Sequence, residues 1–408
     1  MFYSSKSALM VASLVFLIVV MLVNFPVSTA FEQDVRVGAY YYIWWSLPFN
    51  NHWNECTKGT PFLGEYNSSN PEVADKHITL AKQHKISFFA VSWLGTFNWS
   101  DHCYIDEQNL KNGFLKAERL SEFNFCLYYE SKIILDSVYD MYVKRNYSDH
   151  GYPNPADFFK NVFINDTKYA AEHYFNHPSY LHVDGKPVFF IHNLPNLYQN
   201  LTDIKVKELL DEVRLQLLQN YGEEVYFIGD MGSESNPQKI NVDWTYSMNG
   251  ITHYLFSDPA KGWCSVLNDT RYYQEWCEFA NTIGVKFIPN VYPGFNNTSC
   301  EGVTNPTALP TNETAFREML TIAKNFVDNN LKIIMITSWN EWLEGTAIEP
   351  SMELGELFLH TVYDIIPEFP ALFVLPLFIV STLVVVIFCK RKHVDEDKGR
   401  FLSKQRKE

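Results

Sequence analysis

No two cysteines in this chain have the close spacing of a zinc ribbon, although there are seven among 408 residues. Metal ligation by thiolate clusters is therefore set aside. There is no repeat period and no low-complexity block, which argues against a solenoid or a repeat array. Cations are in short supply: 33 Lys and Arg stand against 47 Asp and Glu, a formal net charge of −14. Such a surface repels phosphate backbones and excludes nucleic acid as an expected partner. Charge is missing altogether from 371–389, "ALFVLPLFIVSTLVVVIFC", which runs directly into "KRK".

That uncharged run is long enough to span a bilayer, and the cations after it mark the cytoplasmic side. At the other end Lys6, an apolar run over about 8–23 and a small-residue end at Ala30 have the layout of a secretory signal. An uncleaved anchor helix is the other reading of that segment. Both send the following residues out of the cytoplasm. The expected organisation is a signal peptide over 1–30 and an exterior domain over 31–366. A "PEFP" spacer and transmembrane helix follow over 367–389, then a cytoplasmic tail over 390–408. The expected location is the cell surface, as a single-pass protein with its N-terminal domain outside. Nine N-x-Ser/Thr sequons, at Asn67, Asn98, Asn146, Asn165, Asn200, Asn268, Asn296, Asn297 and Asn312, all fall between the apolar segments. Their confinement agrees with a glycosylated exterior. Six cysteines fall there too, an even number that points to disulfides in an oxidising compartment. Cys56 with Cys103, and two of Cys264, Cys277 and Cys300, are the guessed pairs.

Eight apolar, β-rich runs follow one another in the exterior part: 35–45, 86–95, 123–130, 186–193, 224–231, 242–250, 285–294 and 332–342. Near-continuous apolar runs are expected of parallel strands covered on both faces. Helical periodicity separates most of them, as in "PEVADKHITLAKQHK", "DEQNLKNGFLKAERLSEF", "DIKVKELLDEVRLQLLQNY" and "TAFREMLTIAKNFVDNN". The fifth-to-sixth connection is too short for a long helix, and 131–185 is an insertion with its own helix. This alternation predicts an α/β fold, a (β/α)8 TIM barrel, over a doubly wound sheet.

Chemistry in such a barrel sits at the carboxyl ends of the strands. The residues falling there include Tyr41, Tyr42, Trp44, Trp45, Ser92, Trp93, Tyr129, Glu130, His192, Asn193, Asp230, Tyr246, Asn249 and Tyr292. The eighth strand delivers Asn340, Glu341, Trp342 and Glu344 in "TSWNEWLEGTAIEPS". Glycoside cleavage needs two carboxyl groups at the scissile bond. Glutamates at i and i+3 on the first turn after a strand point to the same side. That closeness suits a retaining scheme or one in which a substrate group is the nucleophile. The plainer reading has Glu341 capping the turn and Glu344 solvated. Trp339, Trp342 and Gly345 weigh toward catalysis, because the tryptophans need burial or a ligand and the glycine admits close backbone approach.

"SWNEWLEGTAIEP" resembles the signature of glycoside hydrolase family 99, the endo-acting α-mannosidases and mannanases, with its N-E-W-x-E-G core and trailing I-E. "GAYYYIWW", "FFAVSWLG" and "VYPGFNN" resemble that family's first strand, second strand and post-seventh-strand turn, so the likeness runs from about Val35 to Pro350. It implies a retaining, endo-acting hydrolase of α-mannosides, with no metal and no cofactor. In that family's scheme Glu341 is the base on the sugar's own 2-hydroxyl, which closes to a 1,2-anhydro intermediate, and Glu344 is the acid/base. Tyr42, Trp45, Trp93, Glu130, His192, Asn193, Tyr246, Tyr292, Asn340 and Trp342 become the expected substrate-binding residues, although His192 reads equally well as a satisfied core histidine. Glu349 is expected to give structural support. The chain departs from the family at Leu343, where many members have histidine, and lacks a basic residue after the seventh strand. The other class of function is a surface glycan-binding or polysaccharide-biosynthesis-associated barrel without hydrolase activity.

Overall fold

The computed structural model of the protein describes residues 35–46, 52–97, 101–144, 151–200, 206–234, 236–240, 247–256, 270–298 and 308–366. The expected signal and membrane segments, the tail, Cys264, Cys300 and Tyr246 lie outside these residues. Among the described residues no helix is long and apolar enough to cross a membrane.

The strands are Arg36–Tyr41, Ile86–Trp93, Asn124–Tyr129, Lys186–Ile191, Tyr226–Asp230, Gly250–Thr252, the two short pieces Lys286–Phe287 and Asn290–Val291, and Ile333–Ile336. Each pairs in parallel with its sequence neighbour, and the last pairs with the first, Arg36 opposite Ile333. The seventh position pairs with the sixth through Lys286–Phe287 and with the eighth through Asn290–Val291. The curled sheet therefore closes, as the alternation of elements predicts. Its interior is aromatic: the Tyr40 ring centroid lies 4.5 Å from Tyr128 and 6.1 Å from Phe190.

Helix Pro71–Gln83 starts where Asn70 accepts from the Glu72 amide with proline in the first turn, and Asn312 caps Glu313–Ala323 through the Ala315 amide. Three differences from the sequence reading have local causes. The helix expected over 106–123 breaks into Asp101–Gln108, a π turn at Asn109–Gly113 and 3-10 pieces. Gly113 packs so tightly on Ser68 that a Cβ would sit 1.9 Å from the Ser68 carbonyl oxygen, so the backbone bends to meet that loop. The insertion holds two helices, Ser131–Lys144 and Pro155–Ala170, not one. Of the sixth strand expected over 242–250, residues 242–246 lie outside the described ones; the described strand is Gly250–Thr252, and Asn249 lies at its start with its side chain on the Phe227 amide and the Arg214 guanidinium.

Cys103 and Cys126 are buried and Cys277 is half-buried, and none of these three is in a disulfide. The expected Cys56–Cys103 pair is thus not formed. Leu94, whose carbonyl the Cys103 thiol faces at 3.8 Å, occupies that side chain instead.

Candidate active site

The eighth strand ends in a tight turn, not a helix. Ser338 and Thr346 close it through the Ser338 amide to the Thr346 carbonyl at 2.9 Å and a 2.8 Å bond between their hydroxyls. The Glu341 amide donates to Ser338 Oγ at 2.8 Å, and Glu341 Oε1 accepts from the Leu343 amide at 2.9 Å. Both glutamates are held on the inner side of this loop. Gly345 has φ +63°, and a Cβ there would lie 3.2 Å from the Lys58 side chain, so the turn needs glycine. Beside it the Asn296 amide donates to the Glu344 carbonyl at 2.6 Å, tying the loop to the stretch after the seventh strand.

Glu341 is buried, and its Oε2 is without a hydrogen-bond partner. Burial first, then the neighbouring Glu344 charge, holds its carboxyl well above the usual range. Glu344 is half-buried, and burial lifts it to about 7 against a hydrogen bond from Tyr254 and the nearby His192. Two carboxyls so disposed keep a proton between them near neutrality. Tyr42 Oη donates to Tyr254 Oη at 3.0 Å, and Tyr254 in turn donates to Glu344.

Across the mouth Glu130 leaves the third strand, buried, with Oε1 accepting from Ser92 Oγ at 2.8 Å. Its Oε2 lies 2.6 Å from His192 Nδ1. Burial opposes charge on His192, but the Glu130 carboxylate outweighs it and raises the imidazole above its ordinary value, with Asp230 and Glu344 adding to the effect. His192 is therefore neither an inert core histidine nor solvated; it is half-buried and stacks on Tyr128 with centroids 5.4 Å apart. Asn193, at φ +46°, turns the chain after the fourth strand, with its amide 3.5 Å from Asp230 Oδ2.

The structure thus brings Tyr42, Glu130, His192, Glu341 and Glu344 to one mouth and adds Tyr254. Sequence reading misses Tyr254 because it starts the sixth strand at 242, eight residues before Gly250; the run "GITHY" carries the signal. Three expected contacts, Asn340, Trp45 and Trp342, support the mouth from behind. Asn340 is fully buried, accepting from the Tyr42 amide at 2.7 Å and donating to the Tyr42 carbonyl at 2.8 Å and Tyr66 Oη at 3.1 Å. With its amide spent on this clamp, it locks the first strand to the eighth. Trp45, also buried, donates to the Asn340 carbonyl at 3.1 Å and stacks on Trp53 at 4.1 Å. Trp342 donates to Glu349 Oε2 at 3.1 Å. Glu349 also receives Tyr66 Oη at 2.8 Å and meets His77 Nε2 at 2.9 Å, a buried structural hub.

Trp93 and Tyr292 are not at the mouth. Side chains alternate along a strand; Ser92 faces inward to Glu130, so Trp93 faces the outer helices. It is 0% exposed, donates to Glu107 Oε2 at 2.9 Å and packs on Tyr129, Tyr169 and Tyr174. Tyr292 is equally buried, with its hydroxyl on the Phe256 carbonyl at 2.8 Å.

Comparison with known proteins gives the same architecture. The solved endo-alpha-mannosidase of Bacteroides thetaiotaomicron superposes with a TM-score of 0.57 at 19% identity, covering 80% of this chain and 96% of that one. A glycoside hydrolase-like protein superposes at 0.63 and 20% identity, covering 83% and 95%. In sequence the chain is 24% identical over 345 residues to the glycoprotein endo-alpha-1,2-mannosidase of Xenopus laevis, 76% of this chain and 66% of that protein. It is 25% identical over 375 residues to the Rattus norvegicus protein of the same name, 83% and 72%. This chain therefore spans about two-thirds of their length. The family model for glycosyl hydrolase family 99 matches residues 51–357, most of the chain, and the protein belongs to that family.

Proposed function

We propose that the protein is a retaining, endo-acting glycoside hydrolase of α-mannoside glycans, working through the substrate's own 2-hydroxyl. The observation that carries this reading is the buried, unpartnered Oε2 of Glu341 beside a Glu344 lifted to about 7. Two carboxyls sharing a proton are the inventory that acid–base cleavage requires. A sugar hydroxyl donating to Oε2 supplies the missing partner and leaves the negative charge on Glu341, the proton on Glu344.

In the first step Glu341 takes the proton of the 2-hydroxyl and O2 attacks C1. The C1–O bond to the leaving sugar breaks, and Glu344 gives its proton to the departing oxygen. The product of this step is a 1,2-anhydro sugar. In the second step Glu344, now a carboxylate, takes a proton from water, which attacks C1 as the C1–O2 bond opens. Glu341 returns its proton to O2. Two inversions at C1 give net retention. No enzyme atom bonds to carbon, so neither carboxyl has to reach C1: Glu341 needs to reach only O2 and Glu344 only the leaving oxygen. Tyr42 and Tyr254 tune Glu344, while Glu130 and His192 offer polar contacts to a sugar.

The curated relatives' name, glycoprotein endo-alpha-1,2-mannosidase, supports α-1,2-mannose linkages in glycoprotein or polysaccharide chains as the substrate class. The uncharged run 371–389 and the nine sequons support a glycosylated domain displayed outside the cell on a C-terminal anchor. Cys56 is disulfide-bonded, in keeping with an oxidising compartment. Incubation with α-mannans and N-glycans, reading product size and anomeric configuration, tests the proposal. Internal cleavage with retained configuration is expected; binding without product from any glycan would point to the non-hydrolytic barrel.

A further inference from the structure

On the outside of the barrel, His84, Glu356 and His360 each bring one ligand atom to within 4.8 Å of the others. His84 ends helix Pro71–Gln83, Glu356 precedes helix Leu357–Ile365, and His360 stands one turn into it. Glu356 Oε2 lies 3.5 Å from His84 Nε2 and 4.0 Å from His360 Nε2. The two imidazole centroids are 5.3 Å apart.

The orientation of His84 sharpens this arrangement. Its Nδ1 lies 2.8 Å from the Leu80 carbonyl, which can only accept, so Nδ1 carries a hydrogen. In the neutral ring Nε2 then presents its lone pair toward Glu356, at a separation beyond the ordinary range of an N–H···O bond. A ring nitrogen oriented by a carbonyl on its far side is the usual outer support of a metal-bound histidine. Lys85 does not serve the carboxylate, since its ammonium is engaged by the Tyr363 and Ile366 carbonyls and lies over the Tyr363 ring.

We propose that His84 Nε2, Glu356 Oε2 and His360 Nε2 form a binding site for a divalent transition metal ion of the zinc type, with water in the fourth position. Two imidazoles and one carboxylate suit zinc better than calcium or magnesium, which take oxygen ligands. Tetrahedral bonds of about 2.0–2.1 Å place donor atoms about 3.3 Å apart. The His84–Glu356 pair is already near that spacing. His360, whose side chain is 66% exposed, closes the remaining distance by a small rotation. The ion joins the helix after the first strand to the helix after the eighth, clasping the ring of helices where the first and last units of the barrel meet. It takes no part in the proton transfers at Glu341 and Glu344.

The test uses the purified full chain, stripped with chelator and titrated with zinc chloride. The melting temperature is expected to rise by about 4 °C at a hundredfold excess over Kd and to saturate at one ion per chain. Cobalt substitution is expected to give visible absorption typical of four-coordination. His360→Ala and Glu356→Gln, both at accessible side chains, are expected to fold, to hydrolyse substrate at the wild-type rate, and to lose the zinc-dependent rise and the cobalt bands. Absence of any zinc-dependent rise in the wild type, or an equal rise in both variants, overturns the site. A melting temperature that follows pH but not zinc overturns it as well, because a proton on His84 then serves where the ion is proposed.

Discussion

Replacing Tyr254 with phenylalanine removes one hydroxyl and nothing else. The ring packs on Tyr40 with centroids 5.5 Å apart and on His192 at 6.3 Å, contacts that phenylalanine keeps. The hydroxyl accepts from Tyr42 and donates to Glu344. A donor to a carboxylate stabilises its charged form, so losing it raises the Glu344 value above its present level of about 7. A hydrogen bond to a charged group contributes about 1.5–3 kcal/mol. Glu344 is half-buried, and water entering the space left by the hydroxyl recovers part of this. The net change is taken at the low end, about 1.4 kcal/mol, or one pH unit. Glu344 must be protonated to act as acid, so activity falls as pH rises through its value. The alkaline limb of kcat/KM on an α-mannan oligosaccharide is thus expected near pH 7 in the wild type and near pH 8 in Tyr254→Phe. A limb that stays put or moves down refutes both the donor geometry and the role of Glu344 as the acid.

Glu341→Gln and Glu344→Gln are each expected to lower kcat by at least about 10³-fold while leaving the melting temperature near wild type. Glu344→Gln alone is expected to recover on a substrate whose leaving group needs no proton; recovery of Glu341→Gln on that substrate would reverse the roles. Asn340→Ala breaks three buried hydrogen bonds, two to the Tyr42 backbone at the end of strand one and one to Tyr66, and urea denaturation is expected to show a loss of about 2–4 kcal/mol. Trp93→Phe opens a void behind the sheet, so stability is expected to fall by about 1–3 kcal/mol with KM unchanged; a large rise in KM would put Trp93 back at the sugar.

Much of the fold could be read from the order of its elements. Eight apolar runs separated by helical periodicity predict a closed parallel sheet because such strands must be covered on both faces. Where the reading failed, tertiary contact overrode local pattern. The run over 106–123 looks helical until Gly113 meets the Ser68 carbonyl, a contact 45 positions away in the chain and invisible to periodicity. Strand six slipped because "WTYSMNG" looks more β-like than "GITHY", and that slip exchanged Tyr254 for Tyr246. The carboxylates of the candidate site stand out in the sequence because a turn crowded with two glutamates and two tryptophans has few structural uses. The aromatic contacts were not: a tryptophan at the end of a strand faces either the mouth or the helices depending on a one-residue register. For Trp93 and Tyr292 that register points outward, and for Trp45 and Asn340 the polar edge is spent on holding the backbone.

The proposed mechanism turns on whether the substrate's 2-hydroxyl is the nucleophile. An α-mannan oligosaccharide lacking only that hydroxyl on the sugar to be cleaved tests it directly. Wild-type enzyme is expected to bind this compound yet cleave it at least about 10³-fold more slowly than its parent. Cleavage within tenfold of the parent would contradict it and require an enzyme group at C1.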